Sequence, residues 1–145
     1  MYPLWVAVEE MTFGTLSQFY KNMLEADREG LAQQYFGRKS VYIENYLQCA
    51  VVARNIAAHG GRFYNRTRLS PAVKLPLMMR RNNVDNSSPF AYFYAIFELL
   101  PDADKFSYIR EMEKLFHKYP AAELFRMGFP VNWRALLNVP SESDT

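Results

Sequence analysis

Arg54, Asn55 and His59, followed by Arg62, Asn65, Arg66 and Arg68, form the stretch of this chain whose residue types and spacing suit chemistry. A guanidinium grips a phosphate through paired hydrogen bonds, and an imidazole passes a proton near neutral pH. Seven basic residues and no acidic one fall between Arg54 and Arg81. The whole chain carries 17 Lys and Arg against 15 Asp and Glu, so the remainder is acidic, 10 against 15, and the net charge of +2 conceals the patch. Such a run is the electrostatic footprint of a polyanion partner, with RNA phosphates the expected one; the competing reading is an ordinary solvated loop.

These residues straddle the end of the longest helix that the pattern predicts, Val41 to about His59, with Ser40 as N-cap and Gly60-Gly61 as stop. On a helical wheel Tyr42, Tyr46, Cys49, Ala50, Ala53, Ile56 and Ala57 gather on a core face, while Glu44, Gln48, Asn55 and His59 look outward. Asn55 and His59 are four apart, so the amide is expected to hold the imidazole in one tautomer. The negative end of the helix dipole suits His59 to hold and deliver a proton. Arg54 falls on the flank of the apolar face, where an unpaired guanidinium is costly. It either pairs with a carboxylate, for which Glu9 and Glu10 are candidates, or faces a second subunit or a bound phosphate. On a straight helix Arg54 and His59 point about 140° apart, so one chain joins them only through the reach of the arginine, a limit that a two-fold dimer relaxes.

The elements that must position this stretch read as helices throughout. Pro3, Trp5, Val8, Met11 or Thr12, Leu16, Phe19, Tyr20 and Met23 trace a first helix, with a bend expected at Gly14, and a polar second helix spans Glu25 to Tyr35 and stops at Gly37. From Gly60 to Asn86 no period persists, apart from a short turn around Leu75 to Met79. Ser88-Pro89 opens a buried helix over Phe90 to Leu100 that Pro101 closes; another runs from near Asp104 to Tyr119 with Met112, Leu115, Phe116 and Tyr119 as its stripe. A turn near Ala121 to Met127 and a last piece, Trp133 to Leu137, complete an all-α bundle. Residues 1–140 read as one domain and 141–145 as a disordered tail.

Other chemistries find little support. Cys49, the one cysteine, lies on the core face, and with two histidines in 145 residues neither a metal site nor a cofactor is expected. His117 reads as a dipole partner at a helix end, and Phe90, Tyr92, Phe93, Tyr94 and Phe97 as core. Leu4 to Val8 is too short for a signal sequence and no apolar run spans a bilayer, so the expected location is the cytoplasm, away from any membrane.

The order Arg54-Asn55, three residues, His59, then Gly60-Gly61-Arg62-Phe63-Tyr64-Asn65-Arg66 resembles the Abi-like (abortive infection) protein family, whose C-terminal half carries a HEPN domain with an Arg, four to six residues, then His. Pro3-Leu4-Trp5-Val6-Ala7-Val8-Glu9-Glu10-Met11-Thr12-Phe13-Gly14-Thr15-Leu16-Ser17 is similar to that family's first helix. Tyr119-Pro120, Met127-Gly128-Phe129-Pro130 and Trp133 are similar to its C-terminal close, so the resemblance extends over nearly the whole chain.

The resemblance implies a HEPN-like helical bundle, a homodimer, and in active members metal-independent RNA cleavage in phage defence or a toxin–antitoxin system, with an antitoxin or other regulatory protein as a further partner. It makes Arg54 and His59 the active pair and Asn55 the polar residue beside them, with Arg62, Asn65 and Arg66 in the segment just beyond. The RNA 2′-hydroxyl is then the nucleophile, His59 the proton-transfer group, Arg54 the phosphate clamp, and Arg62, Asn65, Arg66 and Arg68 the RNA-binding set. The family pattern often has a second His where this chain has Gly60, and its members are longer at the N-terminus, which points to a fragment or a reduced paralogue. The alternative class is a non-catalytic module that binds RNA, nucleotide or protein.

Overall fold

Thr12 has an extended backbone and its hydroxyl accepts a hydrogen bond from the N–H of Thr15, so it caps helix α1, Phe13–Asn22. The computed structural model describes Val6 and residues 11–138. Pro3, Trp5 and Val8, Glu9 and Glu10, and the expected tail 141–145 lie outside them. The continuous first helix needs correction: Val6 is helical, Met11 and Thr12 are not, and the interruption falls at the capping threonine instead of Gly14.

Helix α2, Glu25–Phe36, ends at Gly37 as the sequence predicts. Helix α3 spans Ser40–Ala58, one residue off at each end: Lys39 is its N-cap, and His59 its C-cap. Ser40 therefore does not cap the helix. Its N–H is taken by the Glu29 carboxylate of α2 at 2.8 Å, which places an acidic group against the positive end of the α3 dipole. Helix α4 is the short Leu77–Arg81; α5 is Pro89–Leu99, where Ser88 Oγ accepts from the Ala91 N–H as predicted. Helix α6, Asp102–Lys118, begins directly after Pro101 and two residues before the expected start. A 3-10 turn at Leu124–Met127 and α7, Trp133–Leu136, follow. Every element among the described residues is helical, and no helix there is long and apolar enough to cross a membrane.

Helix α3 is the hub, with α5, α1 and α2 all packed against it. Cys49, Ala50 and Ala53 of α3 and Ala91 and Ala95 of α5 are buried, and side chains this small let two helices approach closely. Tyr46, Phe90 and Tyr92 fill the space around them, fully buried. The core face of α3 points as expected, with Tyr46, Cys49, Ala50 and Ala53 buried, but its width differs along the helix: Ile43 and Asn45, on its two edges, are buried as well, Tyr42 and Ile56 are half-buried, and Ala57 is exposed. On α6 the buried residues are Ile109 and Met112, whereas Leu115 and Tyr119 are exposed, so the expected stripe is only half right.

The C-terminal stretch closes the bundle through aromatic edges. Phe129 lies 4.7 Å from Phe90 between ring centroids and meets Trp133 edge-on at 5.5 Å; Phe116 meets both. Gly128 makes this possible, because a Cβ there would fall 2.5 Å from Ser88 Cβ and push Phe129 off α5.

Candidate functional site

Polar groups of α3 and α5 fix the basic segment against the bundle. Asn45 Nδ2 donates to the Ala72 carbonyl at 3.0 Å and Asn45 Oδ1 accepts from the Lys74 N–H at 2.7 Å, so one amide pairs with the chain as a strand partner would. Tyr46 Oη donates to the Lys74 carbonyl at 3.2 Å, and Tyr92 Oη donates to the Pro71 carbonyl at 2.7 Å. From the other side Leu69 and Val73 donate their N–H groups to the carbonyls of Ser87 and Asn86. Leu69, Val73 and Leu75 turn inward, while Arg62, Arg66, Arg68, Lys74, Arg80 and Arg81 stay exposed.

Because α3 ends at His59 and residues 71–74 return to Cys49, Tyr46 and Asn45, the segment runs back along α3 antiparallel to it. This return brings Lys74 of the basic segment beside the first turns of α3. As expected, the stretch from Gly61 to Pro76 holds no helix and the short helical turn follows, two residues late, as α4; what the sequence did not show is that the loop is held as a strap.

The turn at residues 62–66 is pinned by its aromatic pair. Phe63 packs on Phe93 at 5.4 Å between centroids, and Tyr64 Oη accepts from the Glu123 N–H at 3.3 Å. Arg62, Asn65 and Arg66 are left exposed, with Asn65 in the left-handed region at φ 58°.

His59 terminates α3. Beyond it the Gly60 N–H reaches the Ala57 carbonyl at 3.2 Å and the Gly61 N–H the Ile56 carbonyl at 2.7 Å, the double closure of a Schellman motif. Gly60 has φ +67°, a conformation that any side chain resists, so glycine here shapes the turn that carries His59 outward.

Arg54, Asn55 and His59 are all exposed. The expected Asn55–His59 pairing is not formed. Asn55 Oδ1 instead accepts from Arg54 Nη1 at 3.2 Å, so the amide orients the guanidinium. Among the described residues Arg54 has no carboxylate partner, and Glu9 and Glu10 lie outside them. Arg54 borders a cavity of about 620 Å³ lined mostly by apolar groups, among them Leu47, Ala53, Ala57, Phe63 and Phe93. The structure thus joins Arg54 to its neighbour Asn55 by a side-chain hydrogen bond and sets His59 at the helix end, with Arg62 and Arg66 on the turn that follows.

Burial pushes the Cys49 thiol up to about 12, as the expected core role requires. His117 lies in the last turn of α6 with Nδ1 2.8 Å from the Glu113 carbonyl oxygen. No group of three or more His, Cys, Asp or Glu among the described residues is placed to hold a metal ion. Sequence reasoning missed Asn45 and Glu29, the two side chains that hold the strap and cap α3. For Asn45 the signal was present: a polar residue at the edge of the core face, next to Tyr46.

No curated protein and no solved structure matches the chain. Residues 1–65 match the family model described as Abi-like protein. That stretch holds Arg54, Asn55, His59, Arg62 and Asn65; Arg66, Arg68 and the C-terminal segments from Tyr119 to Trp133 lie beyond it, so the match is narrower than the expected resemblance. Over the residues that carry its Arg54–His59 pair the chain matches the Abi-like proteins, and the match supports a place in that family.

Proposed function

We propose that this protein is a metal-independent endoribonuclease with a HEPN-like bundle, acting on RNA in an abortive-infection or toxin–antitoxin response. The observation that carries the reading is the join of the Arg54–Asn55–His59 end of α3 to a strap of exposed cations, within the stretch that matches Abi-like proteins. RNA carries its own nucleophile in the 2′-hydroxyl. The protein need only grip the scissile phosphate, remove the hydroxyl proton and return a proton to the leaving 5′-oxygen. Arg54, oriented by Asn55, serves the grip; His59 moves the proton; Arg62, Asn65, Arg66 and Arg68 hold the flanking backbone.

One histidine per chain at the site leaves acid and base to be divided, and a homodimer through the Arg54 face supplies the second. The apolar cavity beside Arg54 supports that arrangement. The second reading, a non-catalytic RNA-binding module, is favoured by one observation: Asn55 is spent on Arg54, and no hydrogen bond among the described residues fixes the His59 ring. Incubating the protein with RNA in EDTA separates the two. Fragments ending in 2′,3′-cyclic phosphate support the nuclease, and binding of varied RNAs without cleavage supports the module.

A further inference from the structure

We propose that a cleft at the start of α3, walled by Tyr42, Lys74 and Arg80, binds one nucleoside monophosphate unit, free or within an RNA strand. The cleft has a volume of about 360 Å³ and is lined by side chains that include Val41, Tyr42, Lys74, Leu75, Arg80 and Asn86. That lies at the small end of ligand sites, about 300–1,000 Å³. No acidic side chain lines it, and among the described residues neither Lys74 nor Arg80 is in an ion pair.

The wall is held by hydrogen bonds that leave its backbone largely spent. The Ala72 carbonyl and both the N–H and carbonyl of Lys74 are taken by Asn45 and Tyr46, and the Val73 N–H by the Asn86 carbonyl. The groups left for a ligand are the Lys74 ammonium, the Arg80 guanidinium, the Asn86 amide and the Tyr42 hydroxyl, none of which has a side-chain hydrogen bond among the described residues. Three of these four bring N–H donors and two are cationic, which selects a phosphate: the guanidinium takes it in a fork and the ammonium as a point charge.

Inorganic phosphate alone would not use the rest of the lining. Tyr42 is half-buried and propped on Tyr46 with ring centroids 6.2 Å apart, a fixed ring on which a base can stack, with Val41 and Leu75 as apolar floor. Along α3, Tyr42 lies about 25 Å from His59, so a nucleotide here is an anchor and not the scissile unit. The inference rests on reading the basic segment as a phosphate surface, and is independent of cleavage at His59.

The test is a ¹H–¹⁵N titration of the full chain with AMP and, in parallel, inorganic phosphate, together with binding of an uncleavable 2′-O-methyl RNA strand. The variants are Lys74→Gln/Arg80→Gln and, as control, Arg62→Gln/Arg66→Gln; all four residues are exposed, so the core is untouched. AMP should shift the Tyr42, Lys74, Arg80 and Asn86 signals and bind at least tenfold tighter than phosphate, and the Lys74/Arg80 variant should bind AMP at least tenfold more weakly. Unmoved cleft signals at millimolar AMP, wild-type AMP affinity in that variant, or phosphate binding as tightly as AMP would overturn the proposal. If RNA binding falls only in the Arg62/Arg66 variant and AMP ignores the cleft, this site fails while the ribonuclease reading stands. If AMP fills the cleft as described but RNA does not bind, the ribonuclease reading fails and this site stands.

Discussion

Asn45 Oδ1 accepts the Lys74 N–H at 2.7 Å, and through this bond and its companion to Ala72 a buried amide of α3 holds the strap that carries the cations. Asn45→Ala would leave a donor and an acceptor of the strap unpaired in a part-buried place, at a cost of about 1–3 kcal/mol. Urea unfolding should show that loss, and amide exchange should quicken at residues 72–75 before the helices open. Wild-type stability with unchanged exchange there would mean that the strap is held by its apolar residues alone.

Glu29 gives the fold a pH dependence of known sign. Hydrogen bonds from the Gln33 side chain and then from Ser40 hold its carboxyl down to about 2, against an ordinary value of 4.5. A depressed carboxyl contributes stability above its unfolded value and loses it as the pH falls through the folded one. The melting temperature should therefore drop between about pH 4.5 and 2, and Glu29→Gln should flatten part of that drop. A Gln variant with the same acid slope would show that Glu29 does not couple to folding.

Cys49 should be inert in the native protein. Its thiol is fully buried, and burial holds it up at about 12, far from the thiolate that alkylating reagents need. Labelling with a maleimide should be negligible until denaturant is added and then go to one equivalent. Rapid native labelling would place the thiol outside the core.

RNA binding through the strap should obey counterion release. Raising salt should weaken it steeply, and removing Arg62 or Arg66 should lower the slope of log affinity against log salt by about 0.7 for each lost contact with a single strand. A slope that neither substitution changes would place the strand elsewhere on the surface.

The sequence was most readable where local chemistry decides the outcome. Gly37, Gly60-Gly61 and Pro101 through their backbones, and Ser88-Pro89 through a capping hydroxyl and a fixed φ, mark helix ends locally, and each is an end in the structure. It was less readable where a partner distant in the chain decides. Ser40 looked like a cap because Glu29, one helix away, is invisible to local pattern; Asn55 looked like the partner of His59 because a wheel shows faces and not the reach of Arg54. The strap lacked any period because its order comes from Asn45, Tyr46 and Tyr92 on other elements. The cations were legible as a run, but the return of Lys74 to the start of α3 follows only from those long-range bonds.

The central claim is that His59 moves the proton in RNA cleavage, and single-turnover cleavage by His59→Ala beside the wild type, in EDTA, tests it most directly. His59 is exposed at the end of α3 and bears no part of the core, so the variant should keep its helical spectrum. Loss of general acid–base catalysis is typically worth about 10² to 10⁴ in rate. The account predicts a loss of that size, with wild-type products ending in 2′,3′-cyclic phosphate and none from a 2′-deoxy substrate; undiminished cleavage by the folded His59→Ala protein would contradict it.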